Sequence, residues 1–431
     1  MSVSSRHEIA FILSGLVLSA CHSSSSGDSQ IRVFNTSIDY NSLDLYLDNG
    51  TTNTRTITGV TYGTLGSYVN VAADSYTVEF TRNGVTSSLK STDEKLTKNT
   101  HRTYVAYGNS GKFSTLEIDE DQDQPNSSYT KVDLLDAASD AGALDVYLTD
   151  PSVALADASP TFSGVAAGSA TAYTTMAIGT YRIRITASGS QSDIRLDSVT
   201  GVTFSSLEML SIVVTGTSGG VLVNAAVIPQ QGTQNAVNTA YARVRGAAGI
   251  PSGSNISASL GGSTLLTSAA ANTVSQYTLV EAGTQTLNLI LNGGALTPSD
   301  QNLTAGDDYT VLVLNGPSVA GTTVTLIADD NRLPSTAVNA KIKLVNAMSS
   351  LGDPLTLNVN YTPVASAIAL GNASASTEVT AGTDTEVDTV DASTSTTLFT
   401  NTAATLAGSG VYDLFMFGSA AAPIGALRTN R

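Results

Sequence analysis

The chain is expected to be all-β, a tandem row of immunoglobulin-like antiparallel β-sandwiches, on three observations. Short runs alternate apolar and polar residues, the two-residue period that sets one face of a strand against a core. Those runs recur about every 100 residues. No stretch keeps an apolar 3.6-residue period for three turns, because glycine and β-branched residues interrupt each candidate, so almost no helix is expected beyond residue 20.

The first marker of the repeat is an alternating strand: Ser42-Leu43-Asp44-Leu45-Tyr46-Leu47, Ala143-Leu144-Asp145-Val146-Tyr147-Leu148, Asn255-Ile256-Ser257-Ala258-Ser259-Leu260 and Leu355-Thr356-Leu357-Asn358-Val359. The intervals from Leu47 to Leu148, Leu260 and Val359 are 101, 112 and 99 residues. A second marker is a tyrosine ahead of a turn and a new strand: Tyr68, Tyr173 and Tyr277, fading in the fourth unit to Gly382 and Val387. A third is a strand closing on glycine, Tyr104 to Gly108, Leu210 to Gly216, Tyr309 to Gly316 and Tyr412 to Gly418. Leu303 and Leu406 stand six residues before Tyr309 and Tyr412, the layout of a tyrosine corner.

Segments 119–126, 229–238 and 329–334 are acidic or proline-bearing and read as linkers. The expected division is a signal peptide at 1–20, a lipidated cysteine with flexible tether at 21–30, and sandwich repeats at 31–121, 129–229, 239–331 and 338–431. A compact 100-residue domain is about 30 to 35 Å wide, so four in line would reach roughly 130 Å.

Residues 9–18 form an apolar stretch too short to cross a bilayer but suited to a signal-peptide core. Leu18-Ser19-Ala20-Cys21 follows, and then the polar tether Ser23-Ser24-Ser25-Ser26-Gly27-Asp28-Ser29. This run resembles the lipobox of bacterial lipoproteins, which implies acylation of Cys21 and a membrane held through its acyl chains. His22, in place of aspartate, implies the outer membrane by the same resemblance. The n-region departs from the pattern, with Arg6 opposed by Glu8.

The repeat markers resemble an uncharacterised, tandemly repeated domain family of secreted bacterial proteins and lipoproteins. Residues Leu135 to Tyr147 carry the resemblance most fully, and Leu43 to Leu47 repeat part of it. The family has no established activity, so the resemblance speaks for fold and export alone.

The 431 residues carry a net charge of −16, and 20 Lys and Arg lie scattered along the sequence, which excludes a nucleic-acid binder. No glycine-rich phosphate loop precedes a helix, so no nucleotide partner is expected. Catalysis needs groups that change charge or gain nucleophilicity. Of three histidines only His101 lies within a repeat, and it reads as a loop residue. The chain is therefore expected to be no enzyme, with a cryptic carboxylate pair acting on glycans as the remote alternative. No cofactor or metal is expected. The oxygen-rich linkers, Asp119, Glu120, Asp121 and Asp123, or Asp329, Asp330 and Asn331, are the places calcium would choose.

Asp44 and Asp145 recur at one strand position and read as solvent-facing, with Tyr46 and Tyr147 beside them as a possible aromatic patch. Cys21 is the one site residue assigned, as the lipid attachment. The expected role is a non-enzymatic envelope lipoprotein presenting its sandwiches as a stalk, adhesive or interaction surface to an unknown protein or glycan. The alternative is a periplasm-facing assembly module that recruits a partner strand at a sheet edge.

Overall fold

The computed structural model describes residues 27–317 and 321–431. These form eight sheets, two to each of four units, and a single short turn of 3-10 helix, Leu155–Asp157. Cys21 and its signal segment lie outside the described residues.

Each unit has an outer sheet built on its alternating strand. In the first unit Ser42–Asp48 pairs with Asn53–Thr61 and Ser75–Arg82, which in turn pairs with Ser88–Lys95. Leu43, Leu45 and Leu47 face inward and meet Ile31 and Val33 of the second sheet. The other three outer sheets repeat this order around Leu144–Thr149, Asn255–Leu260 and Leu355–Val359.

The inner sheets differ from the purely antiparallel expectation. Their two central strands run parallel: Asp28–Asn35 beside His101–Tyr107, Tyr129–Ala137 beside Met209–Gly216, Tyr241–Gly249 beside Asp308–Asn315, and Asn339–Asn346 beside Val411–Ser419. The reason is connectivity, because between the two central strands the chain makes two excursions to the outer sheet, separated by an inner edge strand such as Val69–Ala72, and the second central strand is reached by a crossover and not by a hairpin. Segment 229–238 is also more than a linker, since Asn235–Val237 adds a fifth strand to the second unit's inner sheet.

The inner strands are buried on both faces. Ile212 and Val214 fill the core of the second unit while Val213 between them points the other way. There it meets Leu135, Ala137, Phe34 and Val105, so the inner sheets of the first two units pack face to face. The third and fourth units do the same through Ala247, Leu312 and Leu314 against Val345, Phe415 and Phe417. Continuous apolar runs such as Met209–Gly216 and Val411–Ser419 are the sequence form of a strand covered on both sides.

The four units do not stand in a line. Arg332, between the third and fourth units, pairs with Asp39 of the first at 2.7 Å, and the Leu333 N–H donates to Asp140 of the second at 3.1 Å. Arg431, at the end of the fourth unit, donates to the Gly220 carbonyl of the second at 2.7 Å and to that of Asp140. The 130 Å row is therefore replaced by two face-to-face pairs bonded to each other.

A cationic cleft between three sandwiches

The polar residues flagged in the sequence hold structure together. Asp44 and Asp145 are buried, not solvent-facing. Asp44 accepts the Gly59 and Gly84 N–H groups at 2.8 and 2.9 Å, and Asp145 accepts those of Gly164 and Gly189 at 2.7 and 2.8 Å. Gly59 and Gly164 sit at φ 69° and 63° in a β-bulge, where a left-handed backbone is needed. Ser257 and Thr356 perform the same service with a hydroxyl, accepting from Ser268 at 2.9 Å and Ala367 at 3.3 Å. Burial alone would raise Asp44, but Arg55 and the two glycine donors hold its carboxyl below the ordinary range. Tyr147 is buried as well, so no aromatic patch forms on the second unit.

His101 opens a strand instead of lying in a loop, and its ring nitrogen meets Asp121 at 2.7 Å. The linker acids serve the joints between units. Glu120 accepts Arg32 at 2.8 Å, and Arg32 lies 4.3 Å above the Tyr68 ring. At the equivalent register of the third unit, Arg245 lies 4.6 Å from the Tyr277 ring and 3.7 Å from Asp329. The Tyr277 hydroxyl donates to Asp329 at 2.7 Å, and Asp329 also takes Lys343 of the fourth unit. Asp330 pairs with Lys341 at 2.7 Å and Arg332 at 3.0 Å. The recurring tyrosine is thus the aromatic wall of an ionic joint. The tyrosine-corner layout is also met: the Tyr309 hydroxyl accepts the Thr304 N–H at 3.2 Å, and that of Tyr412 accepts Ala407 at 2.8 Å.

Where the second, third and fourth units meet, they leave a cleft of about 530 Å³. Five arginines line it: Arg195, Arg243, Arg245, Arg428 and Arg431. Arg243 and Arg245 are two apart on the strand Tyr241–Gly249 and so share a face, and Arg428 stands on Ala422–Thr429 directly opposite Asp413. Three of the five have carboxylate partners. Arg245 is paired with Asp413, Arg195 with Asp193 at 2.8 Å, and Arg243 with Asp308 at 3.5 Å.

Among the described residues no carboxylate lies within ion-pair distance of Arg428 or Arg431. The buried Arg195 Nε has no hydrogen-bond partner. Burial, and then the neighbouring Arg195 cation, push the Arg431 guanidinium down to about 10. The sole carboxylate in the lining is Asp193, already paired, whereas glycoside hydrolysis needs two. The rest of the lining is mostly hydroxyl and amide, Ser192, Ser275, Thr429, Gln276 and Asn430, with Val221, Val274 and Tyr277 among them. Such a surface presents positive charge with hydrogen-bonding groups around it.

Sequence reasoning missed this site because its cations come from three units and look scattered. The Arg243-x-Arg245 pair, set in an otherwise apolar strand, was the available signal.

No curated protein sequence matches the chain. Among solved structures, a Bacteroides uniformis protein proposed to act in cell adhesion aligns at 11% identity, with 48% of this chain and 99% of that one covered and a TM-score of 0.20. The pilus adhesin SpaC from Lactobacillus rhamnosus GG aligns at 12% identity over 70% of this chain and 42% of its own, with a TM-score of 0.14. Superpositions this partial carry no argument here. The family model of a domain of unknown function, DUF4397, matches residues 29–147 and 242–353, in each case one unit and the opening of the next. These two matches take in more than half of the sequence, and the chain belongs to the DUF4397 family.

Proposed function

We propose that this protein is a non-enzymatic interaction module of the bacterial outer membrane, held through acyl chains on Cys21 and offering an acidic partner its cationic cleft. The observation that carries the reading is the cleft itself. A chain of net charge −16 gathers five of its arginines, from three units, around one cleft, and two of them lack a carboxylate partner among the described residues. A local positive field in an acidic body selects and steers anions. The fused four-unit body supports a rigid presenter over an extensible stalk, because its joints are apolar and ionic together. The anchor rests on Leu18-Ser19-Ala20-Cys21 and the serine tether that follows.

Metabolic labelling with a clickable fatty acid tests the anchor. The wild type takes up label in the membrane fraction, and Cys21→Ala takes up none and is released. Equal label in both proteins would refute lipidation at Cys21. Protease treatment of intact cells then reports the face: degradation places the body outside the cell.

A further inference from the structure

We propose that the cleft between the second, third and fourth units binds an acidic saccharide, its carboxylate on Arg428, Arg431 and Arg195 and its hydroxyls on the serine, threonine and amide wall. This assignment rests on the reading of the cleft as the interaction site and names its ligand.

Three features select that chemistry. The first is uncompensated charge. Arg428 is exposed and Arg431 is half-buried, both without a carboxylate partner among the described residues; Arg195 beside them is held by Asp193 at 2.8 Å and adds only a buried Nε–H for which no acceptor is found among those residues. Arginine presents its N–H groups as a planar fork that fits the two oxygens of a carboxylate, and each such charge-assisted bond is about twice as strong as a neutral one.

The second feature is the wall. Val221 and Val274 are its only aliphatic residues, and Ser192, Ser275, Thr429, Gln276 and Asn430 supply donors and acceptors. A ligand bearing an apolar side chain would find little to bury against, whereas a ring carrying several hydroxyls meets the Gln276 and Thr429 side chains and the remaining bonding capacity of Ser192, Ser275 and Asn430, which already bond to Ser190, Gly246 and Arg245. Tyr277, the one aromatic residue of the lining, is already covered by Arg243 and Arg245 at 4.5 and 4.6 Å, so recognition runs through polar contacts and not through ring stacking.

The third feature is size. About 530 Å³ lies within the usual range for small-molecule pockets, and is far more than a lone inorganic anion fills. An acidic peptide shares the charge but not the match to a hydroxyl-rich wall.

The test is calorimetric titration of the mature chain with trigalacturonate at low salt, beside neutral maltotriose and hexaglutamate. Trigalacturonate is expected to bind saturably and more weakly as salt rises, with no heat from maltotriose and weaker binding of hexaglutamate. Arg428→Gln, at an exposed side chain that makes no ion pair among the described residues, weakens binding about tenfold, the loss of one charged hydrogen-bonded contact. Arg195→Lys keeps the charge but removes the fork, and weakens it by several-fold while the melting temperature stays within a few degrees.

No saturable binding of trigalacturonate, or binding indifferent to Arg428→Gln, would overturn the saccharide site. Hexaglutamate binding as tightly as the sugar would overturn it in favour of an acidic peptide. Lipid labelling at Cys21 is read separately, so the anchor and the cleft fail independently.

Discussion

Asp329→Asn is expected to cost about 3 to 5 kcal/mol in the unfolding of the paired third and fourth units, the loss that follows when one member of a buried ionic cluster is neutralised. Four charges meet at this joint. Arg245 and Asp329 come from the third unit, Lys343 and Asp413 from the fourth, and all are almost fully buried. Asp329 accepts Lys343, the Thr310 hydroxyl at 2.6 Å and the Tyr277 hydroxyl at 2.7 Å. Burial pushes its carboxyl up, but the Lys343 and Arg245 cations overcome this and hold it below the ordinary range. Its stabilising effect is therefore present above pH 4 and is lost as pH falls through the folded value.

With asparagine in place, two buried cations share Asp413 alone. Adding Lys343→Met removes the surplus charge and keeps the aliphatic stem, so the double variant should recover to within about 1 to 2 kcal/mol of wild type. Urea unfolding of the wild type, Asp329→Asn, Lys343→Met and the double variant checks this. Additive losses in the double variant would mean that the two residues are not coupled.

Asp136→Asn is expected to stabilise the protein at pH 8 by about 3 kcal/mol, and to do nothing near pH 4. Asp136 is fully buried in the strand Tyr129–Ala137, where Oδ1 accepts the Ala138 N–H at 2.9 Å and Oδ2 has no partner. Burial pushes its pKa up to about 7. The folded state keeps the proton between about pH 4 and 7 while the unfolded chain has lost it, so stability falls as pH rises through that window and levels off above it.

The repeat itself supplies the remedy. Asn35 and Asn346 occupy the same register, and their Nδ2 groups donate to backbone carbonyls: Asn35 to Tyr40 and Val60 at 2.9 and 3.0 Å, Asn346 to Ile368 at 2.9 Å. Thermal unfolding at pH 8 and pH 4 decides the matter. The slope that remains in the variant belongs to Asp133 and Asp308, each pushed to about 6 by burial, and to Glu117, pushed to about 7 by burial and the neighbouring Glu94. A loss of stability at pH 8 equal to that at pH 4 would show that Asp136 is ionised in the fold.

The outer sheets were legible in the sequence because they face water on one side, so Leu43, Leu45 and Leu47 alternate with residues that need no core. The inner sheets were not, because Val213 and its neighbours Ile212 and Val214 serve two different cores and the run loses its period. Asp44 looked solvent-facing by alternation. A bulge in the neighbouring strand turns the Gly59 N–H toward it and the turn after Ser75–Arg82 adds that of Gly84, and local periodicity carries no sign of either. Tyr68 and Tyr277 were visible as a recurring marker, but their use depends on Arg32 and Arg245, which reach them only after the sheets have formed. The cleft was the least legible feature, since Arg195, Arg243 and Arg428 come from three units and become neighbours only through the packing of those units.

Small-angle X-ray scattering of the mature chain tests that packing most directly. A fused body of this size has a radius of gyration of about 22 Å, whereas four sandwiches strung in a row of roughly 130 Å would give about 38 Å. The bonds from Arg332 to Asp39 and from Arg431 to Gly220 predict the smaller value at low salt, where the ion pair is least screened. A value near the larger one would contradict the fused body, and with it the cleft that three units build.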